Sequence, residues 1–221
     1  MSILGVSAGF HDAAVSVIDH RGDIVFAGHS ERYSRKKNDA NICAELVAEL
    51  HGQDINTVAY YERPWLKQLR QWYAGQGIEW NKLTVCQILR QQLKPFFLSG
   101  MKIHSYNHHL SHAAGGFQTS PFNRATVVVI DAIGEWDTIS IWGAEYDSTG
   151  MATYRKLWSQ RYPHSIGLFY SAVTQRVGLH PLDEEYITMG MAGWGKNQYQ
   201  MCMENLVIDD DWKVRFRDNL H

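Results

Sequence analysis

The sequence is poor in several features that would place it in a class at once. Cysteine occurs three times in 221 residues, at Cys43, Cys86 and Cys202, far apart and with no CxxC pair. An odd, scattered set argues against a disulfide framework or a zinc ribbon and predicts free thiols in a reducing compartment. Neither sign of charge dominates: 21 basic residues against 23 acidic ones give a net charge of −2. That balance argues against a generally basic nucleic-acid-binding domain. Long apolar runs are missing as well, the strongest being Val127-Val128-Val129-Ile130, far too short to cross a bilayer. Met1–Gly5 carries no basic residue, and His11 and Asp12 interrupt the apolar stretch that follows, so no signal peptide is predicted. Repeats and low-complexity segments are absent. The expectation is a cytoplasmic protein with neither membrane nor nucleic acid among its partners.

Material for a core is plentiful. Hydrophobic residues make up 45%, aromatic residues 12% and charged residues 20%, near globular norms. The first thirty residues read as three short strands: Ile3–Ser7, Ala13–Asp19 and Ile24–Gly28, separated by the turns Gly9-Phe10-His11-Asp12 and His20-Arg21-Gly22-Asp23. Ile42, Leu46, Val47 and Leu50 at helical spacing predict a helix over Ala40–His51. A strand Thr57–Tyr61, amphipathic stretches Trp65–Tyr73 and Lys82–Leu98, and a strand Met101–Tyr106 follow. A histidine cluster then opens a helix. From Ala125 the pattern restarts: a strand Ala125–Asp131 that reads as buried, the turn Ala132–Glu135, strands Thr138–Tyr146 and Met151–Trp158, then helices over Ile166–Val177 and near Lys196–Leu206. Two halves, each beginning with a three-strand meander, form the duplicated α/β layout of the actin-like, ribonuclease-H-like ATPase folds. Pro121 and Asn123 break the pattern, which places one lobe at residues 1–120 and the start of a second, cut short, at 121–221.

The strongest local signal is Asn107-His108-His109-Leu110-Ser111-His112-Ala113-Ala114. On a helix His108 and His112 are four apart and project from one face, which suits two ligands of one divalent metal. The glutamate of an HExxH arrangement is missing, so zinc-protease chemistry is not indicated. Asp131, at the end of an apolar strand, is the candidate third ligand; His109 points elsewhere. The second signal is a pair of turns, Gly9–Ala13 and Asp131–Glu135, at matching places in the two halves. Their backbone N–H groups suit phosphate. A basic segment, Glu31-Arg32-Tyr33-Ser34-Arg35-Lys36-Lys37, adds four cations that could gather phosphate or carboxylate. Finally, Pro163–Tyr170 and Glu184–Gly195 carry glycines that permit close backbone approach to a ligand.

Taken together, Gly9–Ala13, Glu31–Lys37, His108–Ala114, Asp131–Glu135, His164–Tyr170 and Glu185–Gly195 resemble, in order, the amino-terminal part of the ATP-dependent O-carbamoyltransferases of the nodulation and antibiotic-tailoring type. That family is similar in fold to the tRNA threonylcarbamoyladenosine synthase. The resemblance implies one metal ion, Fe(II), held by His108, His112 and Asp131. It implies a site for ATP or carbamoyl-adenylate near Gly9, His11, Asp12, Lys36, Lys37, Gly134 and Glu135, with His11, Asp12 and His108 in catalytic roles. The implied reaction makes carbamoyl-adenylate from carbamoyl phosphate and ATP and passes the carbamoyl group to a hydroxyl of a sugar or natural product. Because the resemblance covers only the amino-terminal part, a second polypeptide supplying the remainder is an expected partner. Two rival expectations remain: an actin-like phosphotransferase using the same turns, and a non-catalytic or split half-fold.

Overall fold

A computed structural model describes residues 1–93, 100–196, 206–209 and 213–217. The chain divides into two compact units, Met1–Ser111 and His112–His221.

In the first unit, strands β1 (Ser2–Ser7), β2 (Ala14–Ile18), β3 (Ile24–His29), β4 (Ile55–Tyr60) and β5 (Lys102–Ser105) form one sheet in the order β3-β2-β1-β4-β5. β1, β2 and β3 pair antiparallel, and β4 and β5 run parallel to β1. Period-two alternation sets the register: Leu4 faces Val17 and Val6 faces Val15 across the β1–β2 pair, and all four are buried. Parallel neighbours require crossovers. Helices α1 (Ser30–Ser34) and α2 (Ala44–Ala48) lie between β3 and β4, and α3 (Pro64–Tyr73) and α4 (Val85–Gln92) between β4 and β5. Leu46 and Val47 of α2 and Ile88 and Leu89 of α4 complete the core. A capping box between Thr84 and Gln87 starts α4, so the stretch expected over Lys82–Leu98 opens at Val85, three residues late; residues 94–99 lie outside the described set. The helix expected over Ala40–His51 shrinks to α2. Its first turn is lost because the backbone there is bonded elsewhere: Ala40 O accepts from Gly9 N–H at 2.8 Å, and Ile42 N–H donates to Gln92 Oε1 at 2.8 Å.

The second unit repeats the opening meander. Strands β6 (Arg124–Gly134), β7 (Asp137–Tyr146) and β8 (Ala152–Arg161) pair antiparallel in the order β6-β7-β8. Around them the sequence places α5 (His108–Gln118), α6 (Ile166–Arg176), α7 (Glu185–Ala192) and a ribbon of β9 (Leu206–Ile208) and β10 (Val214–Phe216). The helix expected near Lys196–Leu206 falls mostly outside the described residues. The division between units lies inside α5, whereas the composition break lies at residues 120 and 121.

One expectation is corrected here. β6 is not a buried strand: Val128 is 56% and Ile130 58% exposed, and Val129 is the one apolar residue of its run that is buried. Among the described residues β6 has a sheet neighbour on one side only, so an apolar run alone does not bury it. β6 also extends past Asp131, with a register shift between Ile130 and Gly134.

The β3-β2-β1-β4-β5 order, followed by a second meander, is the α/β layout of the actin-like ATPase fold. Among the described residues no helix is long and apolar enough to cross a membrane.

Candidate functional site

Helix α5 opens the site. Asn107 caps it, its Oδ1 accepting the Leu110 N–H at 3.1 Å. Ser111 Oγ donates to Tyr61 O at 2.8 Å, tying the first turn to the end of β4. His108 and His112 stand one turn apart on this helix, and His109 between them is fully buried, as the 100° step per residue requires. In the second unit, His112 and Asp131 present ligand atoms within 4.8 Å of each other. Asp131 is half-buried, and its Oδ1 accepts the Ala132 N–H at 2.7 Å.

In the first unit, Glu62 lies two residues past the end of β4. It is 3% exposed. Lys67 Nζ donates to its Oε1 at 3.0 Å, and His108 Nδ1 lies 3.6 Å from its Oε2. The Tyr61 ring meets the His108 ring edge-on at 5.3 Å. Burial pushes the Glu62 carboxyl upward, but His108 and the Lys67 ammonium outweigh it and hold the group below its ordinary value of 4.5. The phenols of Tyr60 and Tyr61 move the other way, far above the usual range, through burial first and then the Glu62 charge.

The β1–β2 turn brings together two of the segments singled out from sequence. Gly9 (φ +94°) and Asp12 (φ +53°) bend it. Gly9 N–H donates to Ala40 O at 2.8 Å and Ala13 N–H to Asp39 O at 2.7 Å, so the loop carrying Lys36 and Lys37 is held beside it. These bonds commit two of the N–H groups that a phosphate nest would need. Lys36 and Lys37 are exposed. His11 Nδ1 lies 2.8 Å from Asp12 Oδ2, and His29 Nε2 lies 3.5 Å from Asp12 Oδ1. Asp12, His29 and Glu31 offer ligand atoms within 4.8 Å of one another.

Gly134 and Glu135 form the β6–β7 turn, Gly134 pairing with Asp137. Glu135 (φ +57°) is buried. Asp137, also buried, is held by Lys156 at 2.5 Å and Arg161 at 3.4 Å. Ser165 caps α6 by accepting the Leu168 N–H at 3.0 Å and donates to Ala132 O at 2.6 Å. Gly167 therefore lies against β6: a Cβ there would stand 2.6 Å from Ala132 N and Cα. Close backbone approach was expected at this glycine toward a ligand; what it meets is a strand.

Sequence reasoning missed Glu62, Lys67 and His29. Read from the sequence, Glu62 directly follows the strand Thr57–Tyr61, much as Asp131 ends the strand Ala125–Asp131.

The carbamoyltransferase N-terminus family matches residues 2–221. Protein sll1178 of Synechocystis sp., itself uncharacterized, is 31% identical over 233 residues, taking in 93% of this chain and 37% of that protein. Nodulation protein NolNO of Sinorhizobium fredii is 27% identical over 198 residues, taking in 84% of this chain and 28% of that protein. The chain thus spans well under half the length of these relatives. Among solved structures, the Lmo2764 protein of Listeria monocytogenes aligns with a TM-score of 0.41 at 12% identity, over 92% of this chain and 75% of that one, a likeness too distant to carry an argument. The family match runs through both units and every segment quoted above, so the chain belongs to the carbamoyltransferase N-terminus family.

Proposed function

We propose that this chain is the amino-terminal part of an enzyme that transfers a carbamoyl group, carried as carbamoyl-adenylate made from carbamoyl phosphate and ATP, to a hydroxyl of a sugar or natural product. The single observation that carries this reading is the family match over residues 2–221. By residue type, two imidazoles and a carboxylate, His108, His112 and Asp131, would make a donor set that suits a divalent transition ion such as Fe(II). Such an ion would polarise the carbamoyl or phosphoryl oxygen.

The remaining roles belong to the chain itself. Lys36 and Lys37, beside the Gly9–Asp12 turn, bind phosphate oxygens by charge-assisted donation. With Nδ1 of His11 engaged by Asp12, its Nε2 is the atom left to take the proton of the acceptor hydroxyl. Gly134 and Glu135 form the corresponding turn for the nucleotide in the second unit. Carbamoyl transfer breaks the bond between the carbamoyl carbon and the adenylate oxygen, and AMP leaves.

The test is metal content after anaerobic reconstitution with Fe(II), in the wild type and in His108→Ala, His112→Ala and His109→Gln variants. Loss in the first two with retention in the third is expected. Equal metal in all four, or none in any, refutes the metal assignment.

A further inference from the structure

Glu62 has no role in the reaction above, yet its surroundings are built with care. A carboxylate 3% exposed is costly unless charged or hydrogen-bonding partners offset its desolvation. Besides the Tyr61 phenol, which hydrogen-bonds to it, two partners face it. Lys67 Nζ donates at 3.0 Å, and the same ammonium lies 5.2 Å from the centroid of the Phe10 ring, on the Gly9–Asp12 turn. The other partner is His108, Nδ1 to Oε2 at 3.6 Å, its side chain 15% exposed and its ring braced edge-on by Tyr61. Ser105 Oγ donates to Glu62 O at 2.8 Å, which fixes the backbone at this point.

An imidazole has two nitrogens, and the group facing one decides what the other can do. A carboxylate facing Nδ1 favours the proton there and leaves a lone pair on Nε2. Histidines that bind metals commonly donate their second N–H to a carboxylate, which fixes the ring and raises its basicity; here the two groups face each other as an ion-pair contact at 3.6 Å.

We propose that Glu62 is a positioning residue that holds His108 as the Nδ1–H tautomer, aims its Nε2 at a divalent metal ion, and is itself seated by Lys67. The inference rests on the reading of His108 as a ligand.

Two readouts test it. In the metal-free protein, nitrogen-15 NMR of the histidines reports the tautomer: the wild type should show His108 protonated at Nδ1, and a Glu62→Met/Lys67→Met variant, which removes both charges together, should lose that preference. In the second, Co(II) is titrated against a competing chelator. Glu62→Gln should bind about 10- to 100-fold more weakly than the wild type and show a shifted Co(II) absorption band. The double variant keeps the test open should Glu62→Gln fail to fold with Lys67 unpaired. A wild-type chain that takes up no Co(II) overturns the ligand reading and this inference together. Wild-type binding that is lost in His108→Ala but unchanged in both Glu62 variants overturns this inference alone. So does His108 protonated at Nε2 in the wild type.

Discussion

Replacing Gly167 by alanine tests how the start of α6 is seated. The added methyl would lie 2.6 Å from Ala132 N and Cα and 2.8 Å from Asp131 C, where ordinary contacts begin near 3.4 Å. All three atoms are backbone, so no side-chain rotation relieves the clash; α6 and β6 must part by most of an ångström. Overpacking of this kind costs about 1–3 kcal/mol, and the backbone contact argues for the upper half. Against it stands the gain from replacing a helical glycine, about 0.5–1 kcal/mol. The net is a loss of about 1–2.5 kcal/mol, or roughly 2–10 °C in Tm for a chain of this size. Gly115→Ala is the matched control. It too lies inside a helix, α5, but its methyl would meet nothing within 4 Å, so only the gain of about 0.5–1 kcal/mol remains. Thermal melting of the two variants beside the wild type should displace Tm in opposite directions. Equal shifts, or a Gly167→Ala protein as stable as the wild type, would refute the claimed contact between α6 and β6.

Two further outcomes follow from the first unit. Lys36→Ala combined with Lys37→Ala should weaken binding of a non-hydrolysable carbamoyl-adenylate analogue by calorimetry, both side chains being exposed; unchanged affinity removes these lysines from the nucleotide site. Asp39 is 6% exposed, and although burial pushes its carboxyl up, the Ser34 hydroxyl, the Asn41 N–H and the Lys36 charge outweigh that and hold it below its ordinary value of 3.8. A depressed folded-state pKa stabilises the protein above the unfolded value, and that stability is lost as pH falls through the folded one. Asp39→Asn should therefore lower Tm at neutral pH, with the difference from wild type closing as pH drops below 3.8; a gap that does not narrow in acid excludes this role for Asp39.

The sheet of the first unit was legible because its strands alternate. Leu4, Val6, Val15 and Val17 mark one face at period two, and the turns between them are rich in glycine and aspartate. His108 and His112 were legible for the same reason at a different period, and the burial of His109 follows from the same geometry. Other features depend on partners distant in sequence. The peptide groups of Ala40 and Ile42 bond to Gly9 and Gln92, and no local pattern announces that α2 must start late. Burial of an apolar run depends on what lies beside it in the sheet, so Val127–Ile130 could not reveal that β6 has one neighbour among the described residues. Glu62 went unnoticed for a related reason: its partners Lys67 and His108 are brought to it by a helix and by the far end of a crossover, and a single glutamate after a strand gives no sign of either.

The one-sided pairing of β6 has a consequence for how this chain behaves as a material. β1, its counterpart in the first unit, is flanked on both sides, by β2 and β4. Among the described residues the other margin of β6 has no strand beside it and offers peptide donors and acceptors next to the exposed side chains of Val128 and Ile130. With a net charge of only −2, long-range repulsion between molecules is weak. A strand adding to this margin would bond through its main chain, an interaction that salt screens little.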